Sequence, residues 1–175
     1  MAPRSVPGLS TDAASTTIDA LASRLTGLID LQLVLKHVHW NVVGTNFVAV
    51  HEMLDTHVDA VREMTDAVAE RIAILGGVPN GNSGNVVATR DWDDYPVGRA
   101  NVQRHLAALD DVYAGVIGDH RGAIETVGDV DPITEDLLIG QTADLEMQQW
   151  FVRSHLDTGD DLDHELQKIT AAGRG

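Results

Sequence analysis

From Ser10 onward, apolar side chains return every third or fourth position: Ile18, Leu21, Leu25, Leu28 and Ile29 lead through Leu35 to about Trp40, where Asn41 and Gly44 break the pattern. That spacing predicts a long helix, with Ser10, Thr11 or Asp12 available as its N-cap. A second run, Phe47, Val50, Leu54, Val58, Val61, Val68, Ile72 and Leu75, ends at Gly76-Gly77 and Pro79, a C-terminal stop. The stretch from Gly76 to Pro96 is rich in Gly, Asn and Asp and too long for a turn, so it predicts an ordered crossover with Val86 and Val87 on a short helix of their own. A third helical pattern starts at about Val97 and carries Val102, Leu106, Leu109, Tyr113, Val116, His120 and Val127 on its inner face. Pro132 suits the first turn of a fourth, whose Leu138, Leu145, Val152 and Leu156 keep the period as far as Gly159.

Four long amphipathic helices with a long connection between the second and third predict an all-α, ferritin-like four-helix bundle rather than a simple up-down one. On this reading residues 10–157 are the bundle domain and 1–9 a flexible tail. Residues 158–175 form an acidic tail with a short helix carrying Leu162, Leu166 and Ile169.

Charge narrows the partners. Lys and Arg total 12 against 27 Asp and Glu, a formal charge of -15 that repels phosphate backbones and attracts small cations. There is no cysteine, so any metal ligands are nitrogen and oxygen. Asp30, Lys36 and His37 interrupt the most hydrophobic stretch, and the N-terminus has no basic region followed by an apolar one. A soluble, cytoplasmic protein with no membrane partner is expected.

One flank of the second helix carries candidate chemistry. At ~100° per residue, His51, Asp55, Asp66 and Glu70 fall on one side, beside the apolar stripe. Imidazole and carboxylate together suit iron, manganese or zinc, with the carboxylate share favouring iron. A rise of ~1.5 Å per residue separates His51 from Asp66 by roughly 22 Å, too far to share one ion within a subunit. If two such helices cross antiparallel about a two-fold axis near residues 58 and 59, His51 of one chain meets Asp66 and Glu70 of the other, and symmetry makes two identical intersubunit sites. Periodicity alone is equally served by a solvated polar face, since Asp59, Arg62 and Glu63 share the region. Di-iron sites inside ferritin-like bundles use Glu-x-x-His, which occurs nowhere in this chain, so an interior site is not expected.

The residues also carry a resemblance. Lys36-His37-Val38-His39-Trp40-Asn41, Gly44, Asn46-Phe47, Val50-His51-Glu52-Met53-Leu54-Asp55, and Asp66 through Ala69-Glu70-Arg71 to Leu75-Gly76-Gly77 are similar to the signature of the Dps family of miniature ferritins. Asp136-Leu137-Leu138 through Trp150-Phe151 resembles that family's last helix, so the similarity spans roughly residues 10 to 157. It implies a hollow homo-oligomer, a dodecamer, that oxidises Fe(II) to Fe(III) with hydrogen peroxide or oxygen, stores the ferric mineral and protects against oxidative stress. Zinc or manganese would act as substitute metals. Carried over residue by residue, His39, His51 and Asp55 match one subunit's share of a ferroxidase centre at the two-fold interface. Asp66 and Glu70 match the partner's share. Trp40 matches a tryptophan beside that centre, placed either to donate an electron or simply to pack.

The same resemblance places threefold pores near Asp131, Glu135, Asp136 and Glu146, with Asp136 favoured; acidic residues in a first turn also suit the helix macrodipole on their own. DNA binding in the family uses lysine-rich tails, whereas the N-terminal tail here has only Arg4, and Lys168 and Arg174 stand among Asp160, Asp161, Asp163 and Glu165. DNA is therefore not expected to be held at physiological salt. The alternatives are a nucleoid-associated structural protein with secondary metal binding, and an unrelated bundle hydrolase using zinc or manganese at the same flank. Of the remaining histidines, His37 and His57 are expected at a surface or interface, and His105, His120 and His155 in core or interface positions.

Overall fold

The computed structural model describes residues 6–157 and 159. Tail residues 1–5, including Arg4, and the C-terminal segment with Leu162, Leu166 and Ile169 lie outside the described residues. In chain order the elements are α1 (Thr11–Asn41), β1 (Val42–Val43), α2 (Phe47–Ile74), α3 (Ser83–Thr89), β2 (Ala100–Asn101), α4 (Val102–Val127) and α5 (Pro132–Leu156). The four long helices form the all-α bundle, with α3 in the crossover between α2 and α4.

Local chemistry sets the ends. Ser10 Oγ accepts from the Ala13 amide at 3.1 Å and starts α1. At the end of α2, Gly76 takes φ 90°, and the amides of Gly76 and Gly77 reach back to the carbonyls of Ala73 at 3.0 Å and Ile72 at 2.9 Å. Those bonds satisfy carbonyls that the helix leaves open. Gly77 is also held by space, since a Cβ there would stand 2.9 Å from Ile72 Cγ2.

The third long helix begins later than its pattern suggests. Val97 is 90% exposed and precedes the helix; α4 starts at Val102, capped by Asn101 Oδ1 on the Arg104 amide at 3.0 Å. The reason is a contact distant in sequence: Ala100 and Asn101 pair in parallel with Val42 and Val43, which holds the chain extended up to the cap. At the other end, α5 stops at Leu156 rather than running to Gly159.

Leu28, Leu35, Leu54, Val61, Leu106, Leu138 and Leu145 are fully or almost fully buried along the bundle axis. Each such side chain contributes about 1.5–3 kcal/mol of burial. α1 packs on α2, α4 on α5, and α1 on α4 closes the bundle. Polar ties fix the connections. Asp30 of α1 accepts from Arg90 at 3.0 Å and from the Trp92 indole at 2.7 Å, strapping the crossover to α1. Arg71 at the end of α2 holds Asp131 Oδ2 at 2.6 Å, just before α5. No helix among the described residues is long and apolar enough to cross a membrane.

Candidate metal centre

The short link from α1 to α2, with Gly44 at φ 99° and Asn46 at φ 64°, brings the end of one helix against the start of the next. His39 leaves the last turn of α1 and His51 the second turn of α2. Their rings stack with centroids 3.6 Å apart and 23° between planes. Each Nδ1 lies 3.1 Å from the other residue's backbone carbonyl. A carbonyl only accepts, so each Nδ1 carries the proton and each Nε2 presents its lone pair to a ligand. This is the arrangement that orients metal-binding imidazoles.

Asp55, one turn beyond His51, completes the cluster, and the three donor atoms fit within 4.8 Å of one another. Its Oδ1 lies 3.4 Å from His39 Nδ1 and 2.5 Å from Lys36 Nζ. The Lys36 ammonium bonded to it holds this carboxyl below the usual carboxylate range, so it is an anion wherever the protein works. His39 is buried while His51 and Asp55 are half-buried, so the group opens at the surface.

Asp66 and Glu70 are not part of this cluster. They are exposed on α2, roughly 22 and 28 Å from His51 along the helix axis. Trp40, beside His39, is 71% exposed. Two neighbours of the cluster were missed in the sequence reading: Lys36, and Phe47, whose ring lies 5.1 Å from His51 at a 39° tilt. Both signals were present, since Lys36 is one helical turn before His39 and Phe47 one turn before His51.

The other singled-out residues fall as follows. Asp131 is 4% exposed. Burial pushes its pKa up, but bonds from Thr134 and Arg71 outweigh that and hold it below the ordinary value. Glu135 is half-buried against Gly128, Asp136 is exposed, and Glu146 accepts from Arg121 on α4 at 3.1 Å. His57 departs from its expected surface or interface position: it is 2% exposed, with Nδ1 2.9 Å from the Tyr113 hydroxyl, because it stands seven residues from both Val50 and Met64 on the buried stripe of α2, where α4 supplies its polar partner. His37 is half-buried, its ring edge-on to Tyr95 with centroids 5.7 Å apart. His105 and His120 are buried, and His155 is half-buried.

A four-helix bundle with a crossover helix and an imidazole-carboxylate cluster is a ferritin-like architecture, and the model of the ferritin-like domain matches residues 18–162. The DNA protection during starvation protein of Mycolicibacterium smegmatis is 54% identical over 93% of this chain and 89% of its own. The fine tangled pili major subunit of Haemophilus ducreyi is 53% identical over 90% of this chain and 84% of its own. Among solved structures, DpsA14 from Streptomyces coelicolor superposes with a TM-score of 0.87 at 57% identity, covering 91% of this chain and 95% of that one. The chain belongs to the Dps family, within the ferritin-like proteins.

Proposed function

We propose that this protein is a mini-ferritin that oxidises Fe(II) with hydrogen peroxide, or with oxygen, at centres shared by two subunits. It stores the ferric product as mineral inside a closed dodecameric shell and so limits oxidative damage. The observation that carries the reading is an incomplete cluster: His39, His51 and Asp55 converge within 4.8 Å, while the matching carboxylates, Asp66 and Glu70, lie exposed further along the same helix. An antiparallel copy of α2 brings the two halves together, and isologous symmetry does so twice. Trp40, exposed beside His39, faces the same junction.

Iron is the substrate here. Imidazole and carboxylate oxygen favour Fe(III) over Fe(II), and an all-nitrogen-and-oxygen donor set excludes thiolate-bound metals. Zinc and manganese fit the same donors as substitutes. Two Fe(II) ions each give one electron to one peroxide; its O–O bond breaks, and with two protons both oxygens leave as water. No hydroxyl radical is released. Exposed Asp136 is our choice for a pore residue that draws Fe(II) inward by its field, with Glu135 and Glu146 less directly placed. Asp131 already spends its charge on Arg71.

The test is the double variant His51→Ala with Asp66→Ala. Rapid peroxide-dependent Fe(II) oxidation is expected to fall to the protein-free rate while the native particle mass is unchanged. Wild-type oxidation kinetics in that variant would refute the assignment. The names of several relatives invoke DNA, yet the charge of -15 per chain opposes it. We expect no gel shift of duplex DNA at physiological salt, and a shift that persists there would favour the nucleoid reading.

A further inference from the structure

A cleft of about 480 Å³ lies between α1, α4 and the crossover segment 91–96, and it shares no residue with the His39, His51 and Asp55 cluster. That volume suits a small molecule. Leu31 and Val34 of α1 form one wall, and Val112, Gly115 and Val116 of α4 another. The third wall is the crossover itself, which Asp30 holds in place through Arg90 at 3.0 Å and the Trp92 indole at 2.7 Å. The cleft is preformed.

The two aromatic side chains that line it have their polar ends engaged elsewhere. Trp92 gives its N–H to Asp30 Oδ2, and the Tyr95 hydroxyl meets His105 Nδ1 at 3.0 Å. Tyr95 is further fixed by His37, edge-on with ring centroids 5.7 Å apart. Both residues therefore offer a guest ring carbon rather than a hydrogen bond. Charge in the cleft has one sign: six aspartates line it, and no lysine or arginine does. Asp30 and Asp94 are answered by Arg90, and Asp119 by Arg24 at 3.2 Å. Asp91, Asp93 and Asp111 are exposed and have no ion-pair partner among the described residues. An acidic rim alone suits any small cation on a chain of charge -15; the carbon walls select further.

We propose that this cleft binds a small organic cation, a protonated amine on an aromatic or aliphatic body. The body lies against Val34, Val112, Trp92 and Tyr95, and the ammonium stands at the rim among Asp91, Asp93 and Asp111. Burial of the body adds affinity that charge does not supply, and the ring faces favour a cation beside them. An anion would meet carboxylates alone. A neutral acceptor finds no side-chain donor, because the indole N–H and the phenol O–H are already committed. A bare metal ion gains nothing from the walls, and these carboxylates form no metal-binding group of three among the described residues.

The experiment is a ligand-observed NMR titration of the assembled, full-length protein at neutral pH with phenethylamine as the probe. Phenethyl alcohol serves as the neutral control and methylammonium as the cation without a body. Saturable binding of the amine is expected, at least about tenfold tighter than either control. Gly115 lies within α4, and a Cβ there meets nothing within 4 Å. Gly115→Leu thus fills the cleft while removing a glycine from a helix interior, and it is expected to abolish saturable binding at unchanged native particle mass. Asp93→Asn with Asp111→Asn is expected to weaken binding by about two- to fivefold per charge and to reduce its dependence on salt. The proposal is overturned by a wild-type protein that does not saturate, by either control binding as well as the amine, or by wild-type affinity in either variant.

Discussion

A neutral imidazole sealed among four helices ties the stability of this protein to pH. Burial pushes His120 down to about 4; the Arg24 charge works in the same direction, and the Val116 carbonyl, Gln141 and Asp119 oppose it. Above the ordinary histidine value of about 6.5 the ring is neutral in both the folded and unfolded chain, and it affects stability little. As pH falls from about 6.5 toward 4 the unfolded chain takes up the proton first, so roughly 3 kcal/mol of stability is lost across that window. Denaturant midpoints measured between those pH values check this, and His120→Phe is expected to flatten the slope. At this scale the sequence was informative where a motif spans the short link between two successive helices. His39 and His51 come together as the motif implied, whereas Lys36 stands one turn before His39 with nothing else in its pattern to mark its bond to Asp55. The partners of His57 were not legible, although its place on the buried stripe of α2 with Val50 and Met64 was, because Tyr113 and Gln148 come from helices tens of residues away.

For the elements, punctuation matters as much as periodicity. The stop of α2 depends on Gly76 at φ 90°, a conformation that costs a residue with a Cβ about 1–2 kcal/mol. Gly76→Ala is therefore expected to lower unfolding stability by about that amount, and Gly76→Asn by less, in thermal or denaturant melts. An unchanged melt for the alanine variant would mean that the paired amide bonds do not set this end. The helix spans read well from spacing alone: the hydrophobic stripes located α1, α2 and α5 closely, and Val86 anchors α3 as its position suggested. The start of α4 read poorly. The pairing of Ala100 and Asn101 with Val42 and Val43 joins residues far apart in sequence, and two residues per strand leave no alternation to detect. Asp131 shows the same limit. Its place before a helix suggested a pore or the macrodipole, while its partner, Arg71, arrives from another element.

For the whole molecule, a centre divided between chains makes a prediction that no single-subunit site shares. Particles assembled from equal amounts of His51→Ala and Asp66→Ala chains contain dimers in which one site receives both intact halves. With random pairing, about a quarter of all sites should recover. Each homogeneous variant should stay inactive, and oxidation kinetics on the three preparations decide the matter. A mixed particle as inactive as its parents would place all the ligands within one chain. The architecture itself was legible because four stripes and one long connection admit few arrangements, and the distance of Asp66 and Glu70 from His51 along one helix is what points to the proposed completion of each centre by a second chain. The reciprocal bonds between His39 and His51 carry a last consequence. Each ring is anchored by the other helix's backbone, so neither can hold its aim if α1 and α2 drift apart. Warming that loosens this seam is expected to release both imidazoles together, so that on the proposed function the grip on iron would fade while the helices are still intact, and metal affinity would serve as a gauge of slack between them.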